Sequence, residues 1–121
     1  MLSIYIRSML EQENSKWENI TKQLYKEFGI SDEIPTILLF IGIQELGQGF
    51  KKFSKQEKTD LLHIATCKVL SYEGYYKFKT TDRDNWPVWI RDKTLPKLEV
   101  SEQESLIKKG IIQYFLMNDV F

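Results

Sequence analysis

Cysteine, histidine and proline are scarce in this 121-residue chain: one Cys, one His and three Pro. A single cysteine cannot close an intramolecular disulfide, so no disulfide framework is predicted. No recognised catalytic, phosphate-binding or metal motif is present, and no cofactor is implied. Net charge is also lacking, with 17 basic residues against 17 acidic ones. That balance argues against a general binder of nucleic acid or of anionic membranes. The opening MLSIYIRSML has none of the basic start, apolar run and small-residue cleavage site of an export signal. The longest apolar run, Ile34 to Ile43, is too short to cross a bilayer and is interrupted by Pro35 and Thr36. A cytoplasmic location with no membrane association is therefore expected.

What is present is apolar material for a core. Hydrophobic residues make up 42% of the chain, with three Trp, six Tyr and seven Phe. At this length a chain buries about two thirds of the surface its unfolded form exposes. Intrinsic disorder is thereby disfavoured, and residues 1–121 are read as one globular helical domain.

Periodicity predicts four helices, near residues 15–28, 35–48, 54–72 and 102–118. Trp17, Ile20, Leu24 and Phe28 recur at steps of three and four, the spacing of one buried helical face. Ser15 and Glu18 have capping-box spacing and would start that helix. Leu2, Ile6 and Met9 continue the same phase backward, which would instead place the start near residue 2. Gly29 ends it in either case. Ser31 or Asp32 can cap the second helix, with Pro35 in its first turn. This helix, IPTILLFIGIQELGQGF, is apolar on nearly every side, which predicts a place in the middle of a core. Ser54 with Glu57 opens the third helix, with Phe53 placed to staple against Lys58 or Leu61, and Ser101 with Glu104 opens the fourth. Between the third and fourth, GYYKFKTTDRDNWPVWIRDK has aromatic β-rich arms on either side of a polar turn, an irregular hairpin whose second arm Pro87 confines to an edge. The fold class is mainly α: a four-helix domain with a small aromatic β-hairpin between its third and fourth helices.

Three groups of residues are candidates for function. The first is Glu45 with His63, expected to form a buried polar pair, because an ionisable group inside an apolar helix needs a partner. On the third helix Asp60, His63 and Cys67 share a face. Helix bundles build metal sites from inward carboxylates and Glu-x-x-His pairs, which Asp60-x-x-His63 approximates, so His63, Asp60, Cys67 and Glu45 form an alternative metal set. It is a single imperfect copy, and a hydrogen-bonded structural pair is the preferred reading. A Cys67–His63 nucleophile and base would further need an orienting group and an oxyanion hole, for which the sequence has no sign.

The second group is the hairpin, where Tyr75, Tyr76, Phe78, Trp86 and Trp89 interleave with Lys77, Lys79, Arg83, Arg91 and Lys93. Aromatics among basic residues can stack bases, but Asp82, Asp84 and Asp92 cut the positive charge, so nucleic acid is disfavoured. The preferred reading is closure of the core by the aromatics, with Trp86, Trp89, Tyr75, Tyr76 and Arg91 as the residues that would meet a protein partner. The third group, Lys51, Lys52, Lys55 and Lys58, reads as a solvated loop rather than an anion site.

The segments IGIQELGQGF, FSKQEKTDLLHIATCKVLS, GYYKFK and NWPVW resemble those of a family of small hypothetical proteins from Bacteroidetes-type bacteria, over the stretch from about Ile34 to the C-terminus. The resemblance implies a bacterial, cytosolic origin and transfers no functional residue. The sequence thus predicts a non-enzymatic binding or regulatory module acting through a protein partner or self-association. The alternative is a metal-binding helical protein centred on His63.

Overall fold

A computed structural model describes residues 2–121. Its elements run α1 (Leu2–Phe28), α2 (Ile34–Leu46), α3 (Lys55–Ser71), β1 (Tyr76–Thr81), β2 (Pro87–Arg91) and α4 (Val100–Met117). This is the mainly helical fold with an intervening antiparallel hairpin that the pattern predicts. None of the described helices is long and apolar enough to cross a membrane.

Helix α3 is the central element, packing against α2, α4 and both strands. Glycines let two neighbours come close to it. A Cβ on Gly42 of α2 would overlap the Leu61 carbonyl oxygen, and one on Gly110 of α4 would overlap that of Val69. Leu24, Ile37, Ile41, Ala65, Val69 and Ile111 fill the main core, and Leu46, Phe53 and Leu61 form a second cluster under Trp86. Helix α2 contributes to both, with Ile37, Leu38, Phe40 and Ile41 in the first and Leu39, Ile43 and Leu46 at the second. That double burial is why its sequence is apolar almost all round. The central position itself belongs to α3, not to α2 as expected.

Helix α1 runs the same way as α4: Lys108 lies over the Trp17 ring, while Phe28 meets Phe121 near the ends of both. Its start is at Leu2, so Ser15 lies inside a helix and caps nothing. The fourth helix is also entered differently from the Ser101–Glu104 expectation. It starts two residues earlier, where Glu102 Oε1 accepts from the Glu99 N–H at 3.2 Å. At α2 the cap is Glu33, without a side-chain bond, and Pro35 sits in the first turn. The Ser54 box forms as the spacing predicts. Ser54 Oγ accepts from the Glu57 N–H at 3.1 Å and Glu57 Oε1 accepts from the Ser54 N–H at 2.9 Å. Phe53 is buried beside Leu61, one of the two staple partners.

The three serines therefore separate by mutation. Ser54→Ala is expected to cost about 1 kcal/mol, whereas Ser15→Ala and Ser101→Ala should change stability by less than about 0.5 kcal/mol. Urea unfolding followed by circular dichroism measures all three, and equal costs would contradict the observed caps.

Candidate functional site

The residues singled out by sequence do not converge on one centre. Glu45, on the last turn of α2, is half-buried and bonds across the helices rather than to His63. Its Oε2 accepts from the Tyr114 hydroxyl of α4 at 3.2 Å, and its Oε1 lies 3.6 Å from Lys68 Nζ of α3. Burial pushes the Tyr114 hydroxyl pKa up, and the Glu45 charge and hydrogen bond push it further. Lys68 also lies 5.8 Å above the Tyr72 ring. This polar link joins α2, α3 and α4, and every partner in it has a structural use.

His63 is exposed, the one exposed position between Leu61 and Ser71. The expected buried pair is thus replaced by two separate arrangements. The His63 ring lies 3.5 Å from Cys67 Sγ through Nε2 and makes an edge contact with Tyr76 at 6.5 Å between centroids. It faces a cleft of about 490 Å³ between α3 and the hairpin turn, bordered by Glu57, Asp60, Asp82, Asp84 and Trp86. Three of these carboxylates have other roles. Glu57 closes the α3 cap, Asp60 accepts from Gln56 at 3.0 Å, and Asp82 Oδ1 accepts from the N–H groups of Asp84 and Trp86.

The alternative metal set of His63, Asp60, Cys67 and Glu45 is not assembled. Among the described residues no three His, Cys, Asp or Glu side chains are placed to hold one ion. Cys67 is fully buried, and burial raises its thiol pKa to about 11. At neutral pH it is a protonated thiol, which makes a poor nucleophile and a poor zinc ligand. The Cys67–His63 contact consequently lacks the thiolate that a catalytic dyad requires.

In the hairpin, Tyr76 pairs with Arg91, Lys77 with Ile90 and Phe78 with Trp89, with a bulge before Thr80 pairs with Val88. The turn forms because Asp82 gathers the following N–H groups and Asn85 takes φ 65°, a conformation asparagine tolerates better than most residues. Tyr75 and Tyr76 are half-buried against the main core, and Trp86 is half-buried over Leu46, Phe53 and Leu61. Trp89 is half-buried too, and its indole N–H is enclosed without an acceptor. Arg91 is exposed. Trp86 is accordingly a part of the core before it is an anchor. The apolar surface shown to solvent belongs to Phe78, 50% exposed, and Ile90, 43% exposed. Among the basic loop residues, Lys51 bonds Gln48 at 3.0 Å and covers the Phe53 ring.

Sequence reasoning placed Phe78 among the hairpin aromatics but not among the contact residues, and it missed Tyr114 as the partner of Glu45. Cross-strand pairing with Trp89 was a usable signal for Phe78, since opposite residues share a face. Tyr114 carried no signal as Glu45's partner, being 69 positions away. No protein-family profile, curated protein or solved structure matches the chain.

Cys67, Tyr72 and Tyr114 all have pKa values raised by burial. The folded state therefore holds these protons to higher pH than the unfolded chain. The stability involved is complete below the unfolded values and is lost as pH rises through the folded ones. The urea midpoint should fall steadily from pH 9 to pH 11, and a midpoint that holds or rises over that range would contradict the burial of these groups. Tyr114→Phe, which removes the bond to Glu45, is expected to cost about 1 kcal/mol at pH 7.

Proposed function

We propose that this chain is a non-enzymatic binding module whose hairpin contacts a protein partner. The observation that carries the reading is the Phe78–Trp89 pair, edge to face with centroids 5.8 Å apart, which leaves half of Phe78 open to solvent. Preformed aromatic pairs offer a large apolar contact at little entropic cost. Arg91 shares that face of the ladder through its pairing with Tyr76, while Ile90 pairs with Lys77 on the opposite face. The partner this chemistry suits presents apolar side chains rimmed by carboxylates. Asp82, Asp84 and Asp92 weigh against nucleic acid in that role. The same reading carries a cytoplasmic location and the bacterial origin implied by the family resemblance. The lone cysteine, which leaves no intramolecular disulfide to form, supports the cytoplasmic part of it.

Site-specific photocrosslinking in the native cell tests this. A photoreactive phenylalanine at position 78 should give a discrete protein adduct, while the same probe at exposed Tyr25 should give none. No adduct at 78, or equal adducts at both positions, would contradict the proposal. Phe78→Ala should abolish the complex with a stability loss below about 1 kcal/mol. Trp86→Ala should instead cost about 2–3 kcal/mol, as expected for a half-buried indole over a core cluster.

A further inference from the structure

Helix α1 is much longer than the body it packs on. Residues 3–16 are all exposed, a stretch of about 20 Å, and burial begins at Trp17, Ile20 and Leu24. From the Trp17–Lys108 and Phe28–Phe121 contacts, Val100 at the start of α4 lies roughly level with Met9. Among the described residues, those before that level have no helix beside them. Yet the apolar phase does not stop there. From Leu24, Ile20 and Trp17, steps of three and four lead through Glu13 to Leu10, Met9 and Ile6, on the face that α4 covers further along. Met9 is 52% exposed and Leu10 56%. Val100, at the point where cover ends, is also exposed.

We propose that this exposed half of α1 is a self-association helix. Two copies of the chain pack antiparallel about a two-fold axis, with Ile6, Met9 and Leu10 in the seam and Arg7 of each copy against Glu11 of the other.

The charges select this occupant. Arg7 and Glu11 are one turn apart and lie on the same flank of the stripe. A two-fold axis across two antiparallel helices brings like flanks together, so Arg7 faces Glu11 twice in one self-complementary interface. A parallel pair would set that flank against Tyr5 and Gln12, leaving both charges without partners. A membrane surface fits poorly, because interfacial helices carry Lys and Arg along their polar face. Residues 3–16 hold two cations, Arg7 and Lys16, against Glu11 and Glu13, with no net positive charge. Helices of this length also draw their stability in water from tertiary packing, which a second copy provides. A seam of about 20 Å is smaller than a standard interface, which predicts a dimer that dissociates on dilution.

Sedimentation equilibrium of the full chain over roughly 1–200 µM tests it. The wild type should pass from monomer to dimer. Met9→Glu, at an exposed position, should remain monomeric with an unchanged far-UV spectrum. Arg7→Glu and Glu11→Arg should each weaken the dimer at least about fivefold. The double variant should restore it to within about twofold, and a mixture of the two single variants should form a heterodimer. Wild type that stays monomeric throughout, a dimer unaffected by Met9→Glu, or a charge-swapped double variant as weak as the singles overturns the proposal. So does co-sedimentation of monomeric protein with phosphatidylcholine–phosphatidylserine vesicles that Met9→Glu abolishes, since the occupant is then a membrane surface.

Discussion

Two places where a neighbouring helix rests on the backbone of α3 set the geometry of this protein. Gly42 brings α2 onto the Leu61 carbonyl and Gly110 brings α4 onto that of Val69. Those points are about 12 Å apart along α3 and face different directions, so α2 and α4 lie on separate flanks of one shared helix. Glycine is costly in a helix interior, by about 1 kcal/mol relative to alanine. Its use at both crossings trades helix propensity for close backbone approach. The polar link follows from the same crossings. Glu45 lies one turn beyond Gly42 and Tyr114 one turn beyond Gly110, which lets the two side chains meet beside Lys68. What reads in sequence as an isolated carboxylate in an apolar helix is a tie between the helices that the glycines bring together.

The same placement governs how the inner polar groups are used and where surface is available. Cys67 is enclosed on α3 and held as a thiol, while Glu45 and Tyr114 satisfy each other. The polar groups within the helical body are occupied with holding it together. Two open surfaces are peripheral: the Phe78 side of the hairpin and the exposed N-terminal half of α1. Both are apolar surfaces with nearby charges, the kind of surface that the proposed contacts would use.

Local signals were legible in the sequence, and long-range ones were not. The Ser54–Glu57 box could be read because both partners lie within one turn. The hairpin could be read because its turn chemistry, centred on Asp82, is local as well. Ser101–Glu104 has the same spacing as Ser54–Glu57, yet the helix starts at the competing Glu99–Glu102 pair. The phase of α1 was clear back to Ile6, but the serine at position 15 suggested a start that continuous hydrogen bonding overrides. His63 looked buried because its helical neighbours are apolar. Its exposure depends on where the hairpin seats against α3, a tertiary fact with no local imprint. Trp86 and Phe78 exchange their expected roles for the same reason: the second core cluster lies under one and not under the other.

The dependence of the fold on the two glycine crossings is tested most directly by the stability of Gly42→Ala and Gly110→Ala. By helix propensity alone each change should stabilise the protein by about 1 kcal/mol. By the crossing geometry each added methyl meets backbone that cannot move aside without displacing a helix, and overpacking of that kind costs about 1–3 kcal/mol or more. The account predicts that denaturant unfolding will show both variants to be less stable than the wild type. Two variants as stable as the wild type, or more so, would contradict it.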